Sequence, residues 1–246
     1  MKKVRLRLWV IIVIFLLCLT GVIYYSYKVI EWKLSVEENK KIQDEIKDNV
    51  TLSNLDNKPV YNIDFESLKK RNEDAIAYVK VNNTNIAYIV VKGSDNKYYL
   101  NHNFDKNYNV AGWVFGDFHN KFDGSDKNLI IYGHNTKDGS MFDTLIDVLN
   151  KEWYENKDNY EVVLVTEKGT SYYEVFSTYS IVPEDYYINT VFEDNKEFGE
   201  FVKKLKSRSV YDYGVEVTGN DKILTLSSCI GDGRERVVLH AKLKEF

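Results

Sequence analysis

Hydrophobic and polar positions divide the chain into three regimes. From Leu8 to Tyr27 the run LWVIIVIFLLCLTGVIYYSY carries no charged residue. At about 1.5 Å per residue, such a helix spans roughly 30 Å, the thickness of a bilayer core. Residues 31–50, EWKLSVEENKKIQDEIKDNV, are dense in charge, with Trp32, Leu34, Ile42 and Ile46 as scattered apolar anchors. This pattern predicts a helical stalk or a first packing helix. Asn54 to Pro59 supply a break. The segment DFESLKKRNEDAIAYV then opens on Asp64 as a cap and carries Phe65 and Leu68 on one face, predicting a helix that ends near Asn72.

From Ala77 onward the period shortens. AYVKV, IAYIVV, KYYL, GWVFGDF, NLIIYGH, YEVVLVTE, SYYEVFSTYSIV, KILTLSSC and RVVLHAKL are rich in Val, Ile, Tyr and Thr, and turn clusters separate them. The spacing predicts a closed antiparallel barrel or a sandwich, mainly β with added helices. Two helical stripes interrupt the strands. One is Met141, Phe142, Leu145 and Leu149; the other is Phe198, Phe201, Val202 and Leu205. Both read as core contacts.

The flanks of the uncharged run decide its meaning. Lys2, Lys3, Arg5 and Arg7 precede it, and no A-x-A cleavage pattern follows it, so it reads as a retained anchor rather than a signal peptide. The basic end belongs in the cytoplasm and the remainder outside the cell. Trp9 and the group Tyr24, Tyr25 and Tyr27 fit the aromatic belts at the two interfaces. The expected organisation is a cytoplasmic tail over 1–7, an anchor over 8–27, a helical stalk or linker over 28–55 and an extracytoplasmic domain over 56–246. A formal net charge of −4 gives no basic face for nucleic acid.

Of the two cysteines, Cys18 lies in the anchor, so Cys229 has no disulfide partner within the exported domain. An unpaired extracellular cysteine points to a reactive thiol or to intermolecular pairing. If residues 222–229 form a strand, Cys229 shares a face with Ile223, Thr225 and Ser227, while Leu224 and Leu226 face the core. By the same count Arg236, Val238 and His240 share the non-core face of the next strand.

A thiol near pKa 8.5 needs a partner to be reactive at neutral pH. There are four histidines. His102 and His119 sit in polar loops and read as solvated, and His240 reads as a partly exposed packing residue. His134 ends the apolar run LIIYGHN, where a buried strand gives way to a polar loop, and is the best candidate acid or base. Cys229 as nucleophile, His134 as proton carrier and Arg236 as oxyanion partner make an acyl-transfer set. One cysteine with dispersed histidines lacks metal-ligand spacing, and nothing calls for a cofactor. Glu193, Asp194 and Glu197 read as a solvated helical face rather than a Ca²⁺ site.

T-L-S-S-C at 225–229, an arginine opening V-V-x-x-A-K-L, and the upstream I-I-Y-G-H-N closely resemble the sortases, cysteine transpeptidases of Gram-positive cell surfaces. V-N-N-T-N-I-A-Y-I-V-V, S-D-N-K-Y-Y-L and the insertion 190–213 are similar to class B members. The resemblance implies an eight-stranded barrel on a membrane anchor. It implies cleavage of a C-terminal sorting motif after Thr, a thioester on Cys229, and transfer to an amine of peptidoglycan or its lipid-linked precursor. It also implies sorting-peptide contacts at Asn96, Leu100 and Ser227. Ser228 stands where Thr is usual before the nucleophile, and Ile89 where Pro is frequent. The loop after Cys229 is short and makes Arg234 a rival to Arg236, which is favoured because it abuts the strand. A thiol protease that releases its product to water and a non-catalytic wall-anchored binding module are the alternatives.

Overall fold

The uncharged run and the charged segment after it form one continuous helix, α1 (Lys2–Ile46). The computed structural model describes residues 2–55, 58–182, 184–230 and 235–244, with backbone alone at 2–7, 54, 55, 58, 59, 229 and 230. The first half of α1 is the one described helix apolar and long enough to cross a membrane; its window of mean hydropathy 2.6 is 0% buried. The second half changes character. Ser35, Val36, Asn39, Ile42 and Ile46 fall three or four residues apart and are all buried, so this face docks on the domain.

The α-helix ends at Ile46 and a 3-10 turn, Lys47–Asn49, continues it. A hairpin follows, with β1 (Val50–Leu55) pairing antiparallel with β2 (Lys58–Ile63) outside the barrel. Val50, Tyr61 and Ile63 pack half-buried against the main core while Thr51, Leu52, Ser53 and Asn62 are exposed, and the pattern read as a break hid this short pairing. Next comes α2 (Phe65–Arg71), where Asp64 accepts from the Ser67 amide at 2.9 Å and Phe65 and Leu68 are buried.

Eight strands then close a barrel: β3 (Ala75–Val81), β4 (Ala87–Val91), β5 (Phe115–Gly116), β6 (Asn128–Gly133), β7 (Glu161–Thr166), β8 (Gly169–Ile181), β9 (Ile223–Ile230) and β10 (Glu235–Leu243). Their spatial order is β10-β8-β7-β3-β4-β5-β6-β9, closing on itself. The barrel is mixed rather than antiparallel, because β4 with β5 and β6 with β9 run parallel. Two other local readings change. Tyr98–Leu100 is a 3-10 turn rather than a strand, and residues 143–149 form 3-10 helix before the short α3 (Lys151–Glu155).

Alternation along β9 and β10 sends Leu224, Leu226, Val237, Leu239 and Ala241 into the lumen. The opposite face, read from sequence as non-core, is a second core. Helix α4 (Asn195–Ser207) lays Phe198, Val202 and Leu205 over Ile223, Val238, Phe176 and Tyr179. His240 is therefore not partly exposed but 0% exposed. Asp194 caps α4 by accepting from the Glu197 amide, and Glu197 accepts from the Glu193 amide, so two of the three carboxylates serve the helix start.

Candidate active site

The parallel pairing of β6 with β9 is what gathers the chemistry. Parallel neighbours end on the same rim, and Gly133 is level with Ser228. His134, the next residue of the first strand, and Cys229, the next of the second, thus reach the same height on the barrel. β10 starts from that rim in the opposite sense, and Arg236 is the ladder partner of Cys229. The Cys229 side chain and all of Arg234 lie outside the described residues.

A cleft of about 200 Å³ opens on this rim, and Asn96, Leu100, His134, Ser227 and Arg236 all line it. Every candidate site residue with a described side chain is therefore in one place. A larger groove of about 770 Å³ continues from it past Asn96 and Ile188, toward Asp185, Glu200 and Lys204 beside α4.

His134 is held on three sides. Its Nε2 lies 2.7 Å from the Leu100 carbonyl. A carbonyl only accepts, so Nε2 carries the hydrogen and Nδ1 is the basic nitrogen. Gly112, at φ +59°, backs onto the ring: a Cβ there would lie 2.8 Å from His134 Cδ2 and 2.6 Å from the Tyr99 carbonyl. Behind the strand end, the Phe142 ring fills the space a Gly133 side chain would need, and the Phe142 amide donates to the His134 carbonyl at 2.9 Å. Burial pushes the His134 pKa below the ordinary value, against the opposing effect of the Leu100 bond. Burial thus favours the neutral ring, whose Nδ1 can take a proton.

Arg236 is half-buried and donates from Nη1 to the Tyr187 hydroxyl at 3.3 Å. That hydroxyl is also 3.0 Å from Ser227 Oγ. Having accepted from arginine, it keeps its own hydrogen for Ser227. Tyr187 comes from the turn that opens the α4 insertion and is 0% exposed. Asn96 is fixed from below by Asp117, which is 2% exposed. The Asp117 carboxylate accepts from Asn96 Nδ2 at 2.7 Å, from the Tyr132 hydroxyl at 2.8 Å and from His119 Nδ1 at 2.8 Å. Burial, reinforced by Asp117, pushes the Tyr132 pKa far up and keeps its hydroxyl a donor.

Sequence reasoning missed Asp117, Tyr132 and Tyr187. The first two flank D-F-H and Y-G-H, so proximity to histidines was an available signal; Tyr187 offered none. The remaining histidines are structural in geometry. His102 stacks on Tyr98 at 3.9 Å and bonds its carbonyl, and His119 is engaged by Asp117. Among the described residues no group of three or more His, Cys, Asp or Glu is placed to hold a metal ion.

A closed mixed barrel whose rim gathers a histidine, an arginine and the end of a cysteine-bearing strand is the build of a cysteine transpeptidase. Residues 79–244 match the sortase domain model, and the chain belongs to the sortase family. It is 36% identical over 185 residues to sortase B of Listeria monocytogenes, covering 73% of this chain and 74% of the relative. With sortase B of Staphylococcus aureus the identity is 30% over 226 residues, 90% of this chain and 91% of the relative. The crystal structure of Bacillus anthracis sortase B in complex with AAEK1 superposes with a TM-score of 0.76 at 30% identity, covering 87% of this chain and 99% of that one. The enzyme is a class B sortase transpeptidase.

Proposed function

We propose that the chain is a membrane-anchored enzyme with its N-terminus in the cytoplasm, which cleaves a C-terminal sorting motif of secreted proteins after Thr. It then joins the product to an amine of peptidoglycan or of its lipid-linked precursor. Neutral His134 takes the Cys229 proton, and the thiolate sulfur attacks the threonine carbonyl carbon. The C–N bond breaks, and the imidazolium returns its proton to the leaving amine. The acceptor nitrogen then attacks the thioester, the C–S bond breaks, and His134 removes the proton from the new amide nitrogen. Arg236 faces the charge that builds on the carbonyl oxygen in both steps. Asn96, Leu100 and Ser227 grip the motif.

The observation that carries this reading is the single cleft lined by His134, Arg236 and all three expected peptide contacts, at the rim where Cys229 is the partner of Arg236. The apolar first half of α1 and its basic flank support the anchor and its orientation. The test is mass spectrometry of the enzyme incubated with N-P-x-T-x and related pentapeptides, with and without an amine acceptor. A thioester on Cys229 that passes to the acceptor is expected, and Cys229→Ala removes it. Unchanged turnover in Cys229→Ala would sink the thiol mechanism. Equal cleavage with and without acceptor makes the enzyme a protease, and no adduct with any peptide makes it a binding module.

A further inference from the structure

The barrel strands do not hold His134 alone. The Leu100 carbonyl on its Nε2 and the Gly112 backbone against its Cδ2 both belong to the long connection between β4 and β5. That connection is tied to itself. The Trp113 amide donates to Tyr99, the Gly112 amide to Asn109 and the Asn109 amide to Asn101, each at 2.9 Å. Leu100 and Gly112 therefore move as one piece.

The barrel side holds this piece through the Tyr99 hydroxyl on Asp74 at 2.6 Å and the Trp113 indole on the Ile89 carbonyl at 2.9 Å, and α1 holds its opposite side next to Gly112. Asn39, 2% exposed, donates from Nδ2 to the Gly112 carbonyl at 2.9 Å and to Asn109 Oδ1 at 3.3 Å. Asn109, 0% exposed, donates from Nδ2 to the Ser35 carbonyl at 2.9 Å and to the Glu38 carboxylate at 3.1 Å. Its Oδ1 also accepts from the Ala111 amide at 3.0 Å. The two asparagines form a clasp between one helix turn and the loop that touches the imidazole.

We propose that Asn39 is a positioning residue for His134: by holding the Gly112 carbonyl from α1, it fixes Gly112 and the Leu100 carbonyl against the imidazole ring. The inference rests on His134 being the acid and base. The Gly112 backbone leaves no room for a Cβ beside the ring, and the Leu100 carbonyl of the same piece bonds Nε2, so a shift of this piece displaces the partner that orients the imidazole. Asparagine suits the position because both acceptors it meets are oxygens and its amide nitrogen supplies two hydrogens. Aspartate has the same shape and supplies none. The helix that continues the apolar N-terminal segment is, on this account, a working part of the catalytic centre.

The test uses the full chain in detergent micelles and three variants: Asn39→Ala, Asn39→Asp and Ile42→Ala. Ile42 is buried on the same face of α1, and its side chain has no polar atom with which to join the clasp. With a sorting-motif pentapeptide, Asn39→Ala and Asn39→Asp lower kcat about ten- to hundredfold with KM within about twofold, as misplacement of a catalytic group does. Ile42→Ala lowers the thermal midpoint at least as far and keeps kcat within about twofold, because it loosens packing without moving the loop.

The second readout needs no substrate. In protein carrying ¹³C-labelled histidine, the Hδ2–Cδ2 signal of His134, assigned by its loss in His134→Gln, is displaced in both Asn39 variants and unmoved in Ile42→Ala. Should Asn39→Ala fail to fold, Asn39→Asp keeps the volume and carries the same expectation. Parental kcat and an unmoved His134 signal in the Asn39 variants would overturn the proposal. So would an equal loss of kcat and an equal signal shift in Ile42→Ala, since docking of α1 as a whole would then be responsible. If the parent cleaves no sorting peptide at all, the functional reading fails while the signal still decides the clasp.

Discussion

The Arg236 guanidinium rests on the Tyr187 hydroxyl, donating to it from Nη1 at 3.3 Å. The arginine is therefore aimed from the α4 insertion as well as from its own strand, and the same phenol reaches Ser227 at 3.0 Å. Tyr187→Phe keeps the ring that fills the second core and removes both bonds. A hydrogen bond to a charged group is worth about 1.5 to 3 kcal/mol, and each 1.4 kcal/mol is about tenfold in rate. Peptide kinetics should show kcat/KM lower by about tenfold or more, with a thermal midpoint only a few degrees down. An unchanged kcat/KM would mean that the Tyr187 hydroxyl does not aim Arg236.

Charge at position 236 is not sufficient if the guanidinium must both bond Tyr187 and meet an oxyanion. A lysine is a point charge without the planar fork. Arg236→Lys should therefore lose about a hundredfold in kcat, the scale of losing an oxyanion partner, while Arg234→Ala stays near the parent. Steady-state rates of the two variants side by side decide it. A larger loss at Arg234 transfers the role to that residue.

Gly133 and Phe142 share one space, since a Cβ on Gly133 would overlap the ring. Gly133→Ala forces the ring or the strand end to shift, and overpacking of this kind costs about 1 to 3 kcal/mol. Because the Phe142 amide holds the His134 carbonyl, activity falls with stability. Adding Phe142→Leu to Gly133→Ala should restore part of both, so that the two substitutions are not additive. Thermal midpoints and kcat of the four proteins in this cycle measure the coupling, and strict additivity would show that the ring does not buttress His134.

Much of this site was legible in local pattern. His134 could be found because an apolar strand ends there, and Arg236 because it opens one. The stripe of Phe198, Val202 and Leu205 announced α4 and its buried face. Local pattern says nothing of which segments become neighbours. The parallel pairing of β6 with β9, which sets His134 level with Cys229, joins strands far apart in the chain; the closed eight-stranded barrel is there as expected, but strand spacing, which allowed an antiparallel barrel or a sandwich, could not show its parallel pairs. The second core was missed likewise: Thr225, Val238 and His240 look like an outward face until α4 covers them. Tyr187 and Asn39 are buried polar residues whose partners come from other segments, so no spacing rule finds them.

His240 gives that hidden core a measurable signature. It is 0% exposed, with Nδ1 2.8 Å from Thr225 Oγ1 and Nε2 2.9 Å from the Tyr179 hydroxyl. Thr225 gives its hydrogen to Asn128 Oδ1 at 2.7 Å, so it accepts from Nδ1–H and leaves Nε2 to accept from Tyr179. The network thus fits a neutral ring, and burial pushes its pKa down to about 3. In the unfolded chain a histidine titrates near 6.5. As pH falls below that value the unfolded chain takes up a proton that the folded protein refuses, so stability is full above about pH 6.5 and is lost toward pH 3. At about 1.4 kcal/mol per unit, roughly 2 to 3 kcal/mol should be gone by about pH 4.5. His240→Gln is less stable than the parent near neutrality but lacks this contribution, so the gap between their thermal midpoints narrows as the pH is lowered from about 7.5 to about 4.5. A gap that stays constant across that range would mean that His240 takes up its proton as readily in the folded protein as in the unfolded chain, and that its burial does not keep the ring neutral.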